Sequence, residues 1–476
     1  MEKSGHAPAP VPISADEAAF HVPPPSYEEV MGAYQTSFKP GPDSLPQLAY
    51  IDIMPRCLRP GNIKGKLKPE FDNFSAVVTG ANRWLADHPE LSVWKCECVQ
   101  TPLSTARDGS LYYDLNSMVR HDSTYGYSVY LKGLRMWLTT AQPGSTPQQL
   151  GLRTAVPEVK TIELPNRYRK GRIIVGDEVQ TFGYHQYTTL DGLQGTLKRL
   201  NEKLKSDPIP GRILTIGTDM VKAFDQFKLD LDPDAACWDE DKDRYSRVTQ
   251  VLRIFYLQGP PGNEEIGLTD FRPQMTQRPD NIAPGKLELF DQVMSAMGQW
   301  VTQQKGSRIV NIQQFDAIVE KTFDNELKVE TDSTDDAVWA FKDRRLAKTL
   351  RVFQVTSGGQ AVAQQPNHIN SRLFLPARMG PKVFESMTQT MDRVDFWLRV
   401  TGANVYNVET VKLLLHETQP AGADVAASEY RIQKMTGKYW LTAIRVYIAG
   451  PYNEPDPSQL PPVPLYKSGS GSCTIV

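Results

Sequence analysis

The sequence predicts an α+β protein built from four tandem β-α-β-β repeats, with about twelve strands and four helices. Two observations support this: an apolar helical stripe returns four times with one spacing, and a strand with a fixed residue order follows it each time. A third concerns the ends, where nine of the 36 prolines fall in residues 1–47 and six in 451–476. We therefore expect two disordered tails around the repeats.

The helix of each repeat is predicted from apolar residues spaced i, i+3, i+7, i+10 and i+14. This spacing places all five side chains on one helical face. The four stripes are Phe71, Phe74, Val78, Ala81 and Leu85; Leu190, Leu193, Leu197, Leu200 and Leu204; Leu287, Phe290, Met294, Met297 and Val301; and Phe384, Met387, Met391, Val394 and Leu398.

Two strands are expected after each helix. The first is a short alternating apolar run, found at residues 93–96, 213–216, 309–312 and 405–408. The second has the order aliphatic, arginine, aliphatic, aromatic in all four copies. Its arginines are Arg135, Arg253, Arg351 and Arg445.

A strand is also expected before each helix, closed by a proline that cannot donate to a ladder. These strands are Ala49–Met54, Val159–Leu164, Glu265–Phe271 and Ser371–Leu375. The resulting boundaries are 1–47 for the N-terminal arm, 48–141, 158–258, 265–357 and 370–450 for the repeats, and 451–476 for the tail.

The composition narrows the classes of function. Lys and Arg total 53 against 55 acids, a net charge of −2, and a duplex-binding protein usually has a clear basic excess. We therefore expect no nucleic-acid partner.

Five scattered cysteines favour a reducing cytoplasm over a disulfide framework. No apolar run resembles a signal peptide or a membrane span, and Glu2 in place of glycine excludes N-myristoylation.

The arm contains a PPxY motif formed by Pro24, Pro25 and Tyr27. Prolines pre-set a polyproline II conformation, so little entropy is lost when the segment docks in the aromatic groove of a WW domain. The segment resembles the WW-domain ligands of adaptors that recruit HECT-type ubiquitin ligases. It also resembles the late-budding motifs of some viral matrix proteins, which leaves a host–virus role open.

The chain ends in Cys473-Thr474-Ile475-Val476, which has the form of a prenylation box. One isoprenoid binds a membrane only marginally, so a second signal is expected. Basic residues cluster after the first strand of the first two repeats and are candidates to contact anionic lipid. They are Arg56, Arg59, Lys64, Lys66 and Lys68, then Arg167, Arg169, Lys170 and Arg172. The alternative is that these loops are only solvated.

The four strand arginines could line an anion site, since a guanidinium offers a bidentate fork. The alternative, which we favour, is that they pair with acids of their own repeat. No nucleotide-binding, hydrolase or metal motif is present, so no catalytic residue, metal or cofactor is predicted.

These observations predict a non-enzymatic adaptor or scaffold, cytoplasmic and held at the membrane periphery by its C-terminal lipid. PPxY would recruit a WW-domain partner, in particular a HECT-type ubiquitin ligase. Two alternatives stay open. One is a self-assembling, matrix-like shell protein that uses PPxY in budding. The other is an enzyme or small-molecule binder with a pocket between repeats.

Overall fold

A computed structural model describes residues 48–463 of the 476-residue chain. Within this range the description leaves out residues 64, 107–109, 123–126, 164–170, 176–177, 183–185, 226–227, 230, 242–245, 281–282, 323, 333–334, 338–343, 358–364, 381–382, 417–424 and 433–437.

The described chain is mostly β-sheet with four helices, and we divide it into four blades. Blade 1 contains β1 Ala49–Ile53, β2 Cys57–Arg59, β3 Glu70–Phe71, α1 Phe74–Asp87, β4 Leu91–Thr105, β5 Leu111–Tyr112, β6 Val119–Asp122 and β7 Tyr127–Thr140. Blade 2 contains β8 Leu150–Ala155, β9 Val159–Glu163, β10 Gly171–Val175, β11 Glu178–Phe182, β12 Gln186–Leu190, α2 Leu193–Leu204, β13 Ile209–Asp225, β14 Lys228–Leu229, β15 Cys237–Asp241 and β16 Ser246–Gly262.

Blades 3 and 4 follow the same order. Blade 3 contains β17 Glu264–Phe271, β18 Met275–Gln277, β19 Lys286–Leu287, α3 Phe290–Gln303, β20 Ser307–Lys321, β21 Leu327–Glu330, β22 Asp335–Ala337 and β23 Arg344–Ser357. Blade 4 contains β24 Ile369–Phe374, α4 Met387–Thr401, β25 Val405–His416, β26 Glu429–Ile432 and β27 Lys438–Ala449, and a 3₁₀ turn follows at Pro457–Gln459.

Each blade is an antiparallel sheet whose central strand is the last long strand of the blade. One edge of β7 pairs along most of its length with β4. The other edge is shared by two short strands placed end to end. Residues Leu134–Leu138 of β7 pair with β1 of the same blade, and Tyr127–Leu131 pair with β15 of blade 2.

The same exchange occurs at every blade and closes the chain into a ring. Strand β22 of blade 3 pairs with β16 of blade 2, and β26 of blade 4 pairs with β23 of blade 3. Strand β6 of blade 1 pairs with β27 of blade 4. Four blades thus form a propeller-like arrangement in which each blade completes the sheet of the blade before it.

The helices cover the sheets through the predicted stripe. Phe74, Val78, Ala81 and Leu85 of α1 are buried against β4 and β7, and the other helices pack in the same way. The first residue of each stripe lies before the helix. Phe71, Leu190 and Leu287 end hairpin strands, and Phe384 bridges to Arg378.

Three helices receive an additional N-terminal cap from the next blade, beside the local caps Asn73 of α1 and Ser386 of α4. Asp234 of blade 2 accepts from Phe74 N through its carbonyl and from Ser75 N through its carboxylate, at 2.7 and 2.8 Å. Asp332 caps α2, and Asn116 of blade 1 caps α4. At α3 the equivalent residue is Ala426, which offers only its carbonyl. All four positions precede the signature arginine by nineteen residues: 116 and 135, 234 and 253, 332 and 351, 426 and 445.

The architecture departs from the expected one in two respects. The described residues contain 27 strands, not about twelve, because hairpins and exchange strands elaborate the expected elements. Val159–Glu163 is a strand before the helix, as expected, but it does not pair with the central strand of the second sheet. Val159–Glu163 pairs with β12 in a hairpin, and the edge of β16 is taken by Leu150–Ala155, before the expected boundary at residue 158.

Capping across blades can be tested by removing a capping side chain at α1 and by adding one at α3, where it is absent. Asp234→Ala should lower the free energy of unfolding by about 1 kcal/mol, the usual value of an N-cap. Ala426→Asn should raise it by about 0.5–1 kcal/mol, because it supplies at α3 the amide oxygen that Asn116 supplies at α4. Urea denaturation of the full chain measures both changes. If both variants unfold like the wild type, capping across blades does not stabilise the ring.

Candidate functional site

The four first long strands, β4, β13, β20 and β25, surround the axis of the ring. Each has a β-bulge at the same place, with the shift at Val93/Lys95 in β4 and at Val405/Asn407 in β25. A bulge re-aims the next side chain. The re-aimed residues are Lys95, Thr215, Asn311 and Asn407.

These four side chains join neighbouring blades. Asn407 Nδ2 donates to Ile312 O and Asn311 Nδ2 to Ile216 O, both at 2.8 Å, and Thr215 Oγ accepts from Cys96 N at 3.1 Å. Lys95 of blade 1 closes the circle by donating from Nζ to Asn407 Oδ1 at 2.8 Å and to the Val408 carbonyl.

A second layer lies two residues further along each strand. Glu97 accepts from Thr410 N, Gln313 from Thr218 N and Glu409 from Gln314 N, at 2.6–3.0 Å. The fourth equivalent position is Gly217, which has no side chain to accept from the next strand. Glu97 brings a partly buried carboxylate into this layer and Glu409 a buried one, and such groups need several donors.

The aromatic residue of the strand signature supplies the extra donor. Trp137 Nε1 donates to Glu97 at 3.1 Å, and the Tyr447 hydroxyl donates to Glu409 at 2.7 Å. In blades 2 and 3, which have no acid at this layer, the aromatic residues are Phe255 and Phe353. The choice of aromatic residue therefore follows the presence of the acid.

The signature arginines are buried and pair with carboxylates of their own blades. Arg135 forms a two-pronged pair with Asp52 at 2.6 and 2.7 Å, and Arg351 with Asp270 at 2.7 and 2.8 Å. Blades 2 and 4 lack an acid on the first strand. Arg253 therefore pairs with Asp219, and Arg445 Nε lies 3.7 Å from Glu409.

Each signature arginine also contacts the preceding blade. Arg135 donates to Thr410 and Arg351 to Gln250, both at 2.8 Å, and Arg445 donates to Gln314 at 3.0 Å. The Arg253 guanidinium stacks over the Phe74 ring, 4.5 Å from its centroid. The signature arginines thus connect neighbouring blades.

Lys132 of blade 1 lies in a buried ion cluster with Asp219 and Arg253 of blade 2. Its ammonium is 3.0 Å from Asp219 Oδ2, and it also donates to the Met220 carbonyl. Burial alone would raise the pKa of Asp219, but Lys132 and Arg253 reverse this and lower it. Burial lowers the pKa of Lys132, because its loss of hydration outweighs the attraction of Asp219.

Charges from all four blades meet near Lys412. The Lys412 side chain is exposed to water, but the surrounding protein removes part of the hydration of its ammonium group. This loss of hydration lowers the pKa of Lys412 to about 8. Arg120 of blade 1 lowers the pKa further, whereas Glu97, Asp316 of blade 3 and Asp219 oppose the shift. Poor solvation also raises the pKa of Asp316 to about 6, against the attraction of Lys348 and Lys412.

Both ends of the described chain pack in one apolar cluster, which we call the seam. It contains Leu48 at the start of blade 1 together with Trp137 and Trp397, and Leu460 of the C-terminal segment packs against it. Tyr452 places its ring 5.2 Å from that of Trp397, edge to face, and Glu454 accepts from Trp397 Nε1 at 3.2 Å. The arm and the tail therefore leave the ring from the same cluster.

Most sequence-predicted ligand residues lie outside the described residues: Pro24, Pro25, Tyr27, Lys64, Arg167, Arg169, Lys170 and Cys473. Arg172 belongs to β10. Arg56, Arg59, Lys66 and Lys68 lie together on the β2–β3 hairpin and are exposed. Arg56 is paired with Asp72 at 2.7 Å, and Arg59 is paired with Glu70.

Sequence reasoning missed the residues that join the blades. The acidic run at 230–243 contains Asp234, the cap of α1, and the capping positions could have been found from their fixed distance to the signature arginines. The bulge residues Lys95, Thr215, Asn311 and Asn407 differ in type and carry no such signal.

The described residues hold no group of three or more His, Cys, Asp or Glu that could bind a metal ion. Among these residues no helix has both the length and the apolar character needed to cross a bilayer.

A cleft of about 360 Å³ lies beside the β18–β19 hairpin and includes Arg345 and Asp280. Arg345 pairs there with Glu429 and donates to the carbonyls of Pro284 and Gly285, so it ties the hairpin to blade 4.

The ion cluster between blades 1 and 2 predicts a large mutational effect. Asp219→Asn should lower the free energy of unfolding by about 3–5 kcal/mol, because two buried cations lose their counter-charge. Asp207→Asn is the matched control, since its pair with Arg153 is partly exposed and worth at most about 1 kcal/mol.

The same cluster predicts a pH dependence. The pKa of Asp219 is lowered in the folded state, so its contribution is present above the unfolded pKa of about 4 and is lost as pH falls through the folded value. Urea denaturation as a function of pH should show less acid destabilisation in Asp219→Asn than in the wild type. Equal acid destabilisation in both would contradict the assigned ion cluster.

Comparison with protein families, curated proteins and solved structures found no match to this chain. Its functional interpretation therefore rests on its own residues and their geometry.

Proposed function

We propose that this protein is a non-enzymatic scaffold in which four β-α-β-β repeats, elaborated by hairpins and exchange strands, form a rigid ring. The ring would hold two ligand segments, the PPxY arm and a prenylated tail. The packing of Leu48 and Leu460 in the seam is the observation that carries this proposal. A partner bound to the arm and a membrane bound to the tail would then be tethered to the ring at one place.

The chemistry of the interior favours a structural role for the ring. Asp52, Asp219 and Asp270 each pair with a buried cation. Arg135, Arg351 and Arg445 also donate across a blade boundary. An active site instead needs polar groups that converge on a space open to a substrate. Within the described residues, the arginine beside the cleft is occupied by protein acceptors.

The partner class follows from the arm. Pro24, Pro25 and Tyr27 fit the paired pockets of a WW domain, and HECT-type ubiquitin ligases are the class whose adaptors the motif resembles. A ring held at a membrane would thereby bring such a ligase to the membrane surface.

The arm is tested with the full chain and an isolated WW domain of a HECT-type ligase. The wild type should bind with a Kd of roughly micromolar order. Tyr27→Ala should abolish binding and leave the unfolding curve unchanged, because position 27 precedes the folded ring. Isothermal titration calorimetry measures the affinity. Equal binding by both proteins would refute the proposed partner.

The tail is tested by cell fractionation. Wild-type protein should divide between membrane and cytosol, because one isoprenoid gives only marginal anchoring. Cys473→Ser should move the membrane-bound fraction toward the cytosol, whereas the neighbouring Ser472→Ala is the matched control and should behave as wild type. An unchanged distribution in Cys473→Ser, with no prenyl mass on the wild-type protein, would contradict the proposed lipid anchor.

A further inference from the structure

The β2–β3 hairpin of blade 1 carries the two most exposed large apolar side chains among the described residues. Leu58 is 61% exposed and Leu67 is 62% exposed. The next is Leu289, at 56%, in the segment before α3 of blade 3. Met379 and Val383 of blade 4 are exposed in the equivalent segment before α4. Exposed apolar side chains therefore concentrate between the first strand and the helix of a blade.

The hairpin is held in one conformation by its own backbone. Asn62 and Leu67 exchange hydrogen bonds of 2.8 and 2.9 Å, and Asn62 Oδ1 accepts from Gly65 N at 2.9 Å. Gly61 lies so close to the opposite strand that a Cβ atom would come within 2.3 Å of the Leu67 carbonyl. Leu58 and Leu67 thus stay exposed on an ordered element.

The hairpin is anchored to blade 1 both at its base and at its turn. Met54, Ile63 and Phe71 pack against the apolar cluster of Leu103, Val129 and Leu131. A segment fixed in this way loses little conformational entropy when its exposed side chains contact a partner.

The hairpin is basic in a chain that is slightly acidic. Residues 54–73 hold five basic and two acidic residues, a net charge of +3, whereas the whole chain has −2. Arg56 and Arg59 form exposed pairs with Asp72 and Glu70, and such surface pairs contribute little and exchange readily with other anions. Lys66 and Lys68 flank Leu67 directly.

We infer that this hairpin is a second membrane contact, in which Leu58 and Leu67 enter the boundary of the acyl chains and the basic side chains contact anionic headgroups. Exposed apolar side chains flanked by Lys and Arg are the combination that binds the interface of an anionic bilayer. The inference rests on the proposed membrane role, to which it adds the signal that a single isoprenoid requires.

The tail is long enough to reach a membrane that the hairpin contacts. Strand β1 leads from the seam to the hairpin in five residues, a length of about 17 Å. The ten residues from Val463 to Cys473 have a maximum span of about 35 Å. The tail is therefore long enough to reach a bilayer touched by the hairpin.

The experiment uses full-length Cys473→Ser protein, so that no prenyl group contributes. Cys57 is exposed on the hairpin, whereas Cys96 and Cys237 are buried and Cys98 is partly buried. With Cys98 replaced by Ser, an environment-sensitive fluorophore can be placed beside Leu58. The labelled protein is titrated with vesicles of phosphatidylcholine and phosphatidylserine, and with vesicles of phosphatidylcholine alone.

A blue shift of the fluorophore with the anionic vesicles is expected, together with flotation of the unlabelled protein. Leu58→Ser and Leu67→Ser should each weaken binding about tenfold, the effect of removing one apolar side chain from the interface. Charge reversal at Lys66 and Lys68 should weaken it on the order of thirtyfold, at about 1 kcal/mol for each basic contact. Raised salt should act in the same direction.

Phe396→Ser is the matched control, because Phe396 is an exposed apolar residue on α4. It should bind as the parent does, and the leucine variants should retain the parent unfolding curve. Loss of binding in the lysine variant alone, with the leucine variants unaffected, would overturn the apolar contact. Absence of binding to anionic vesicles would overturn the inference entirely, and it would leave the prenyl and PPxY proposals untouched, since neither contributes to this assay.

Discussion

The exchange of strands between neighbouring blades is the constraint on which the rest of the structure depends. The backbone N–H and C=O groups at the edge of a β-strand have no hydrogen-bond partners. In a blade on its own, half of one edge of the central strand would be unpaired in this way. Among the described residues, the half of the β7 edge that β1 leaves open is paired by β15, and the half of the β27 edge that β24 leaves open is paired by β6. Because every blade depends on its neighbour, a stable arrangement has to close.

The polar interior follows from this closure. Blades that meet around an axis bring backbone groups of β4, β13, β20 and β25 together without forming a continuous ladder. Side chains therefore satisfy those groups, as Asn311 and Asn407 do for the carbonyls of Ile216 and Ile312. Where the side chain at the second layer is a carboxylate, it needs a further donor. Trp137 and Tyr447 supply that donor to Glu97 and Glu409.

Local elements could be predicted from the sequence because their signals are periodic. The stripe from Phe74 to Leu85 and the strand around Arg135 depend on neighbours a few residues away, and both lie where their spacing indicated. Phe71, the first residue of that predicted stripe, lies in a strand before the helix. The exchange strands could not be predicted in this way. Val119–Asp122 is four residues long, carries no distinct pattern, and has its partner in the last blade. The capping role of Asp234 was hidden for the same reason, since the helix that it caps belongs to another blade.

The closure of the ring sets an order for folding during synthesis. Strand β6 emerges from the ribosome early, but Val119 pairs with Leu441, which is 322 residues later in the chain. The nascent first blade therefore keeps an open strand and an unused Asn116 cap until the fourth blade has been made. Contacts so distant in sequence are formed slowly, and exposed strand edges are the surfaces on which incomplete chains aggregate. Ring closure is thus a late step, and chains truncated before blade 4 would be natural clients for chaperones.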